Sequence, residues 1–186
     1  MKYLFITVLF FAYNLKTAAQ KKGAAIFNSY NSVGFVAGAL PVAFAAQTEN
    51  GITYKNWFAG AGLAIDLYYK ETLPLFAAVK KDFPFKANSF FLYVNAGKNI
   101  VAKNKKIVGT FSTIETQGGF YADAGVGYKL KIARKGNIFF SIGNTVKNIL
   151  QHETGFTYDF LGMPGVIDTY KQYKFSRISF KTGYQF

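Results

Sequence analysis

Apolar and polar residues alternate at period two along much of this chain, most cleanly over its last ten positions. Ile178, Phe180, Thr182, Tyr184 and Phe186 share one face, and Arg177, Ser179, Lys181, Gly183 and Gln185 share the other. Such alternation marks a strand whose two faces meet different surroundings. Large apolar groups on one side and charge on the other suit a strand standing between lipid and a wet interior.

Seven more segments upstream carry the same pattern: Tyr30 to Leu40, Val42 to Thr48, Ile52 to Tyr69, Pro74 to Asp82, Ser89 to Asn99, Gln117 to Ile132 and Ile138 to Ile149, before a closing strand that begins near Lys174. Most approach the roughly 9–11 residues that a tilted membrane strand needs. Asn50-Gly51 reads as a tight hairpin, because a type I′ turn wants positive φ at both central residues. Lys135-Gly136-Asn137 reads as another turn, and the connections 100–116 and 150–173 read as long loops. Tyr54, Trp57 and Phe58, and Tyr68 and Tyr69, fall near predicted strand ends, where interfacial aromatic girdles sit.

The chain is 51% hydrophobic and 19% aromatic, yet its longest apolar run after the N-terminal stretch is broken by Gly34, Gly38 and Pro41. That run is shorter than the roughly 18 residues of a spanning helix. Lipid admits only helices or closed barrels, since every backbone polar group must be paired, so the pattern predicts an eight-stranded antiparallel transmembrane β-barrel over 20–186. Residues 1–19 read as a cleaved signal peptide: Lys2 is the charged start, Tyr3 to Tyr13 the apolar stretch, and Thr17-Ala18-Ala19 the small-residue cleavage site. Cysteine is absent, which removes disulfides and thiolate chemistry.

The closing strand and its terminal Phe resemble those of small bacterial outer-membrane β-barrel proteins, the OmpA- and porin-superfamily-like barrels. The resemblance implies an outer-membrane location with a periplasmic C-terminus, and a membrane-insertion signal in Phe180, Tyr184 and Phe186 read by the barrel-insertion machinery. It further implies contact with outer-membrane lipids, including lipopolysaccharide.

The net charge of +13 would suggest nucleic acid in a soluble protein, but export excludes that partner. Lys98, Lys103, Lys105 and Lys106 would instead sit near lipid phosphates. Period two places Asp66, Lys80, Asp82, Asp123, Lys129, Lys131, Lys147, Arg177 and Lys181 inside. Eight strands leave an interior that side chains fill, so these charges must pair. The core of the expected network is Asp66, Lys80, Asp123, Lys129, Arg177 and Lys181. Gly60, Gly62, Gly125 and Gly127 recur at inward positions, where a crowded interior needs small residues.

His152, the single histidine, has Ser141 and Thr154 on the same stretch, the residue types of a lipid-modifying hydrolase, but no local motif supports one. No metal-ligand spacing and no cofactor motif is present. The apolar segment that holds Phe156, Tyr158, Phe160, Met163 and Tyr170 reads as an outer loop able to meet a partner. The expected function is therefore a non-enzymatic outer-membrane barrel with a plugged lumen, a structural or accessory subunit of a surface assembly. The alternatives are a lipid-modifying enzyme and a narrow pore that prefers anions.

Overall fold

The computed structural model describes residues 25–102, 106–109, 112–133, 136–158 and 164–186; the expected signal peptide lies outside them. The described residues form nine strands: β1 Ile26–Ala37, β2 Ala43–Tyr54, β3 Trp57–Asp66, β4 Thr72–Phe85, β5 Asn88–Val101, β6 Lys106–Val108, β7 Ser112–Ala133, β8 Gly136–Tyr158 and β9 Pro164–Gln185. All pair antiparallel. The circuit runs from β1 through β2, β3, β4 and β5 to β7, β8 and β9, then back to β1, while the short β6 pairs with β7 alone. A sheet closed on itself has no edge within the circuit, and this is the condition hydrocarbon imposes on a β structure.

The wall is inverted relative to a soluble barrel. Trp57, Leu63, Ile65, Leu75, Val79, Phe90, Leu92, Val94, Phe120 and Val126 are exposed on the outside, whereas Asp66, Lys80, Asp123, Lys129, Arg177 and Lys181 are buried inside. On β9 the outward residues Ile178, Phe180 and Tyr184 are exposed, as is Phe186 just beyond it, and Arg177, Ser179, Lys181 and Gln185 are buried. Phe186 closes the seam: its N–H donates to the Ser29 carbonyl at 3.1 Å, and its carbonyl accepts from Ser29 N–H at 2.9 Å.

Several expectations shift. Asn50 and Gly51 are not a turn; they lie inside β2, paired with Ala61 and Gly60. The hairpin falls instead at Lys55-Asn56, with Lys55 at φ 54°. Ladder pairing on both sides of β2 overrides the local turn preference, so β2 runs on to Tyr54 and β3 starts at Trp57. Lys86-Ala87 forms the matching turn between β4 and β5, with Lys86 at φ 54°.

The regions expected as long loops are mostly strand. β7, β8 and β9 span 22, 23 and 22 residues, about twice what hydrocarbon needs. Their surplus rises beyond the ring as a ribbon in which Phe156 pairs with Val166 and Tyr158 with Pro164. Phe160 and Met163 lie outside the described residues. The turns at 55–56 and 86–87 and the paired strand ends Ala133 and Gly136 share one rim with Phe186, and the ribbon stands at the other.

Candidate functional site

The interior is the most built region of the molecule. Because inward positions recur every second residue on every strand, side chains from opposite walls meet along the axis. Seven bulky groups, Tyr30, Phe58, Phe76, Phe91, Tyr93, Tyr121 and Phe139, form a buried aromatic filling. Tyr30 stacks edge-on against Phe58 and Phe139, with ring centres 4.9 and 5.7 Å away. Gly62 lies against the Phe76 ring and Gly127 against the Phe91 ring, where a Cβ would collide.

Around this filling the charges form three clusters. Toward the rim that carries Phe186, the Lys129 ammonium donates to both oxygens of Asp82 at 2.7 Å and to the Tyr30 hydroxyl at 2.8 Å. At mid-barrel Lys80 pairs with Glu49 at 2.6 Å and lies 4.3 Å from the Tyr30 ring centre. Glu49 also accepts from Asn95 at 2.9 Å and Gln47 at 3.0 Å. Nearby, Lys181 pairs with Asp123, and Asp123 accepts from Thr145 at 3.1 Å and Tyr93 at 3.2 Å.

The third cluster shuts the ribbon-side mouth. Asp66 takes Arg177 at 2.6 Å and Lys147 at 3.3 Å. Lys147 also donates to the Tyr68 carbonyl at 2.6 Å and the Thr72 hydroxyl at 3.1 Å. Tyr68, expected in a girdle, instead turns inward and is buried; its hydroxyl accepts from Leu40 N–H at 2.7 Å. The bend between β3 and β4 is thereby tied to β8 and to the bend after β1. Outside it, Tyr69 packs its ring 4.9 Å from that of Phe175.

All six residues expected in the network are interior and each has an ionic partner, although not always another of the six: Lys80 pairs with Glu49, and Lys129 with Asp82. Glu49 is fully buried; the local turn chemistry of Asn50-Gly51 sets it at a predicted strand end, which hides it from the alternation. Lys131 is exposed rather than interior, since β7 is leaving the ring there and its register with β8 shifts between Lys131 and Ala133. Among the described residues the interior thus sets five cations against four carboxylates, a smaller excess than the sequence suggests. In low dielectric such pairing is required, because removing one partner strands a buried charge.

The hydrolase candidates do not assemble. Ser141 and His152 both lie on β8, eleven residues or roughly 36 Å apart at strand rise. On the ribbon, His152 Nε2 is 3.0 Å from Asp168, and Thr154 donates to the same Asp168 oxygen at 2.8 Å. Thr154 therefore bonds the carboxylate rather than the imidazole. Tyr170 is exposed and stacks on the His152 ring at 4.3 Å. Among the described residues, no group of three or more His, Cys, Asp or Glu side chains is placed to hold a metal ion.

No protein-family model matches the chain, and no curated protein matches it. Among solved structures it is similar to the solid-state NMR structure of outer membrane protein AlkL in DMPC lipid bilayers, at 15% identity and a TM-score of 0.41, over 87% of this chain and 88% of that one.

Proposed function

We propose that this protein is a non-enzymatic integral outer-membrane β-barrel with a plugged lumen, serving as a structural or accessory subunit of a surface assembly. One observation carries the reading: ion pairs and aromatic rings fill the inside of the ring, while apolar side chains cover the outside. A wall of that polarity belongs in hydrocarbon, and a core of that density is a brace rather than a conduit.

The short turns at 55–56 and 86–87, on the rim that carries Phe186, support a periplasmic C-terminus, because outer-membrane barrels keep short turns on that side. In this reading Phe180, Tyr184 and Phe186 address the chain to the insertion machinery. The ribbon of β6 to β9 then stands outside the cell, where Val166, Ile167 and Tyr170 are exposed and available for contact within a larger complex. Lys98 and Lys106 face the layer of lipopolysaccharide phosphates.

Two measurements test this. Gentle detergent extraction and native sizing should give a particle larger than one chain with its detergent; a strict monomer with nothing bound counts against a subunit role. Planar bilayers should stay electrically silent, and discrete conductance sensitive to Lys181 or Arg177 substitution would favour the anion-preferring pore.

A further inference from the structure

We infer that the hairpin joining β2 to β3 carries a site for the phosphate of an anionic phospholipid, built from Tyr54, Lys55, Trp57 and Lys81 on the outer face of the wall. The site rests on the membrane-barrel reading and adds to it a lipid class and an address. Three of the four residues form one row across three strands. Tyr54 on β2 pairs with Trp57 on β3, and Trp57 pairs with Lys81 on β4. Cross-strand partners share a face. Both rings are exposed while the neighbouring Phe58 is buried in the lumen, so the row faces outward. Lys55 follows in the turn, its ammonium 5.5 Å from the Tyr54 ring centre. The Lys81 ammonium sits 4.6 Å from the Trp57 ring centre. The Asn56 carbonyl accepts from the Asp82 N–H at 2.8 Å, which fixes the hairpin beside Lys81.

Charge selects the ligand. Lys55 and Lys81 form no ion pair among the described residues, and Lys86 and Lys131 stand exposed on the same rim. The described acidic side chains lie elsewhere. Glu49, Asp66 and Asp123 are interior, and Glu71, Glu115, Glu153 and Asp168 are on the ribbon side. Asp82 alone reaches this rim, and Lys129 holds both of its oxygens. A lysine on a lipid-facing strand lays its stem along apolar surface and keeps its ammonium at the headgroup layer. With no carboxylate in reach, a lipid phosphate is the counter-ion that a bilayer supplies. The Tyr54 hydroxyl and the Trp57 indole N–H bond no protein group among the described residues, and they offer two more donors at the same level. One step toward mid-barrel, Ile52, Ala59 and Val79 pair in a second row, apolar and exposed throughout. The small Ala59 between two larger neighbours leaves room for an acyl chain, which a free anion does not need.

The chain has a single tryptophan, so its emission reports from the site itself. The test places the full chain in phosphatidylcholine nanodiscs with rising fractions of phosphatidylglycerol and follows Trp57 emission. A saturable shift at low mole fraction is expected. Its midpoint should rise about fivefold in Lys81→Gln and likewise in Lys55→Gln, the scale of one lysine at an anionic membrane surface. Lys106→Gln on β6 should leave it in place. The midpoint is the readout because loss of Lys81 also removes a cation from above the indole and changes the intensity directly. A shift that never saturates, or midpoints unmoved in both variants, overturns the site. The same shift produced by inorganic phosphate in pure phosphatidylcholine discs also overturns it, because the ligand is then a free anion. A chain that stays out of the discs overturns the membrane reading. A chain that enters pure phosphatidylcholine discs and ignores phosphatidylglycerol overturns the site alone.

Discussion

Glu49 on β2 and Lys80 on β4 meet at 2.6 Å in the interior, although their strands do not pair and β3 lies between them. The contact spans the curve of the wall, and closure of the ring alone brings the two together. Each is almost wholly buried, so neither charge has water to fall back on. Glu49→Gln should therefore cost about 3–5 kcal/mol, the usual penalty for stranding one member of a buried pair. Urea unfolding followed by gel mobility measures it. The double variant Glu49→Leu, Lys80→Met should recover most of the loss; if it is no better than the single, packing rather than charge governs the site.

The turns at Lys55 and Lys86 offer a gain. Each holds positive φ at the first of two central residues, the type II′ pattern that favours glycine there. Lys55→Gly and Lys86→Gly should each stabilise the barrel by about 0.5–1 kcal/mol, the roughly 1–2 kcal/mol cost of a side chain in left-handed backbone less the extra entropy that a glycine loses on folding. Lys55→Val should destabilise it. An unchanged urea midpoint in both glycine variants contradicts the assignment.

Much of the architecture was legible because two solvents impose two faces: β3, β4 and β9 carry their outward and inward sets where alternation puts them. The errors have one physical origin, that local signals lose to long-range pairing. Asn50-Gly51 has the strongest turn chemistry in the chain, yet both residues lie in the middle of a paired strand. The true turns use Lys-Asn and Lys-Ala, which carry little local preference. That misplacement hid Glu49 and with it the partner of Lys80. Tyr68 looked interfacial because its aromatic character is local, whereas its inward turn depends on Lys147 and Leu40, far away in sequence. The ribbon escaped notice because its residues mix polar and apolar groups on both faces, as a strand with water on each side permits.

On the ribbon, Asp168 provides a pH test. The Thr154 hydroxyl and then the His152 ring hold its carboxyl below the usual range. A depressed carboxyl contributes fully above its unfolded value, roughly pH 3.9, and the contribution disappears as pH falls through the folded value. Nuclear Overhauser contacts between the His152 and Tyr170 rings should persist from neutral pH down to the ordinary carboxylate range, then fade in stronger acid. Asp168→Asn should abolish that acid step. Contacts indifferent to pH in the native chain would remove Asp168 as the clasp.

At Phe186 an observed backbone contact and a proposed side-chain role can be separated. Its backbone supplies both hydrogen bonds to Ser29, and its exposed ring is the feature proposed for the insertion machinery. Phe186→Ala should keep the seam and refold in detergent with near-native stability, yet assemble poorly in cells. Deleting the residue should impair both. Equal assembly of Phe186→Ala and the native chain in cells would show that the ring carries no address.

The long surplus of β7, β8 and β9 stands at the rim opposite Phe186. Closure is complete between Tyr30 and Ala37 on β1 and their partners on β9, well below the tip that joins Tyr158 to Pro164. Foreign sequence spliced at that tip adds only loop entropy, which grows slowly with length, and leaves every stave of the cask in register. In an outer-membrane barrel of the kind proposed, the ribbon would thus serve as a mast for display, carrying a grafted epitope clear of the bilayer on a hull that does not register the cargo.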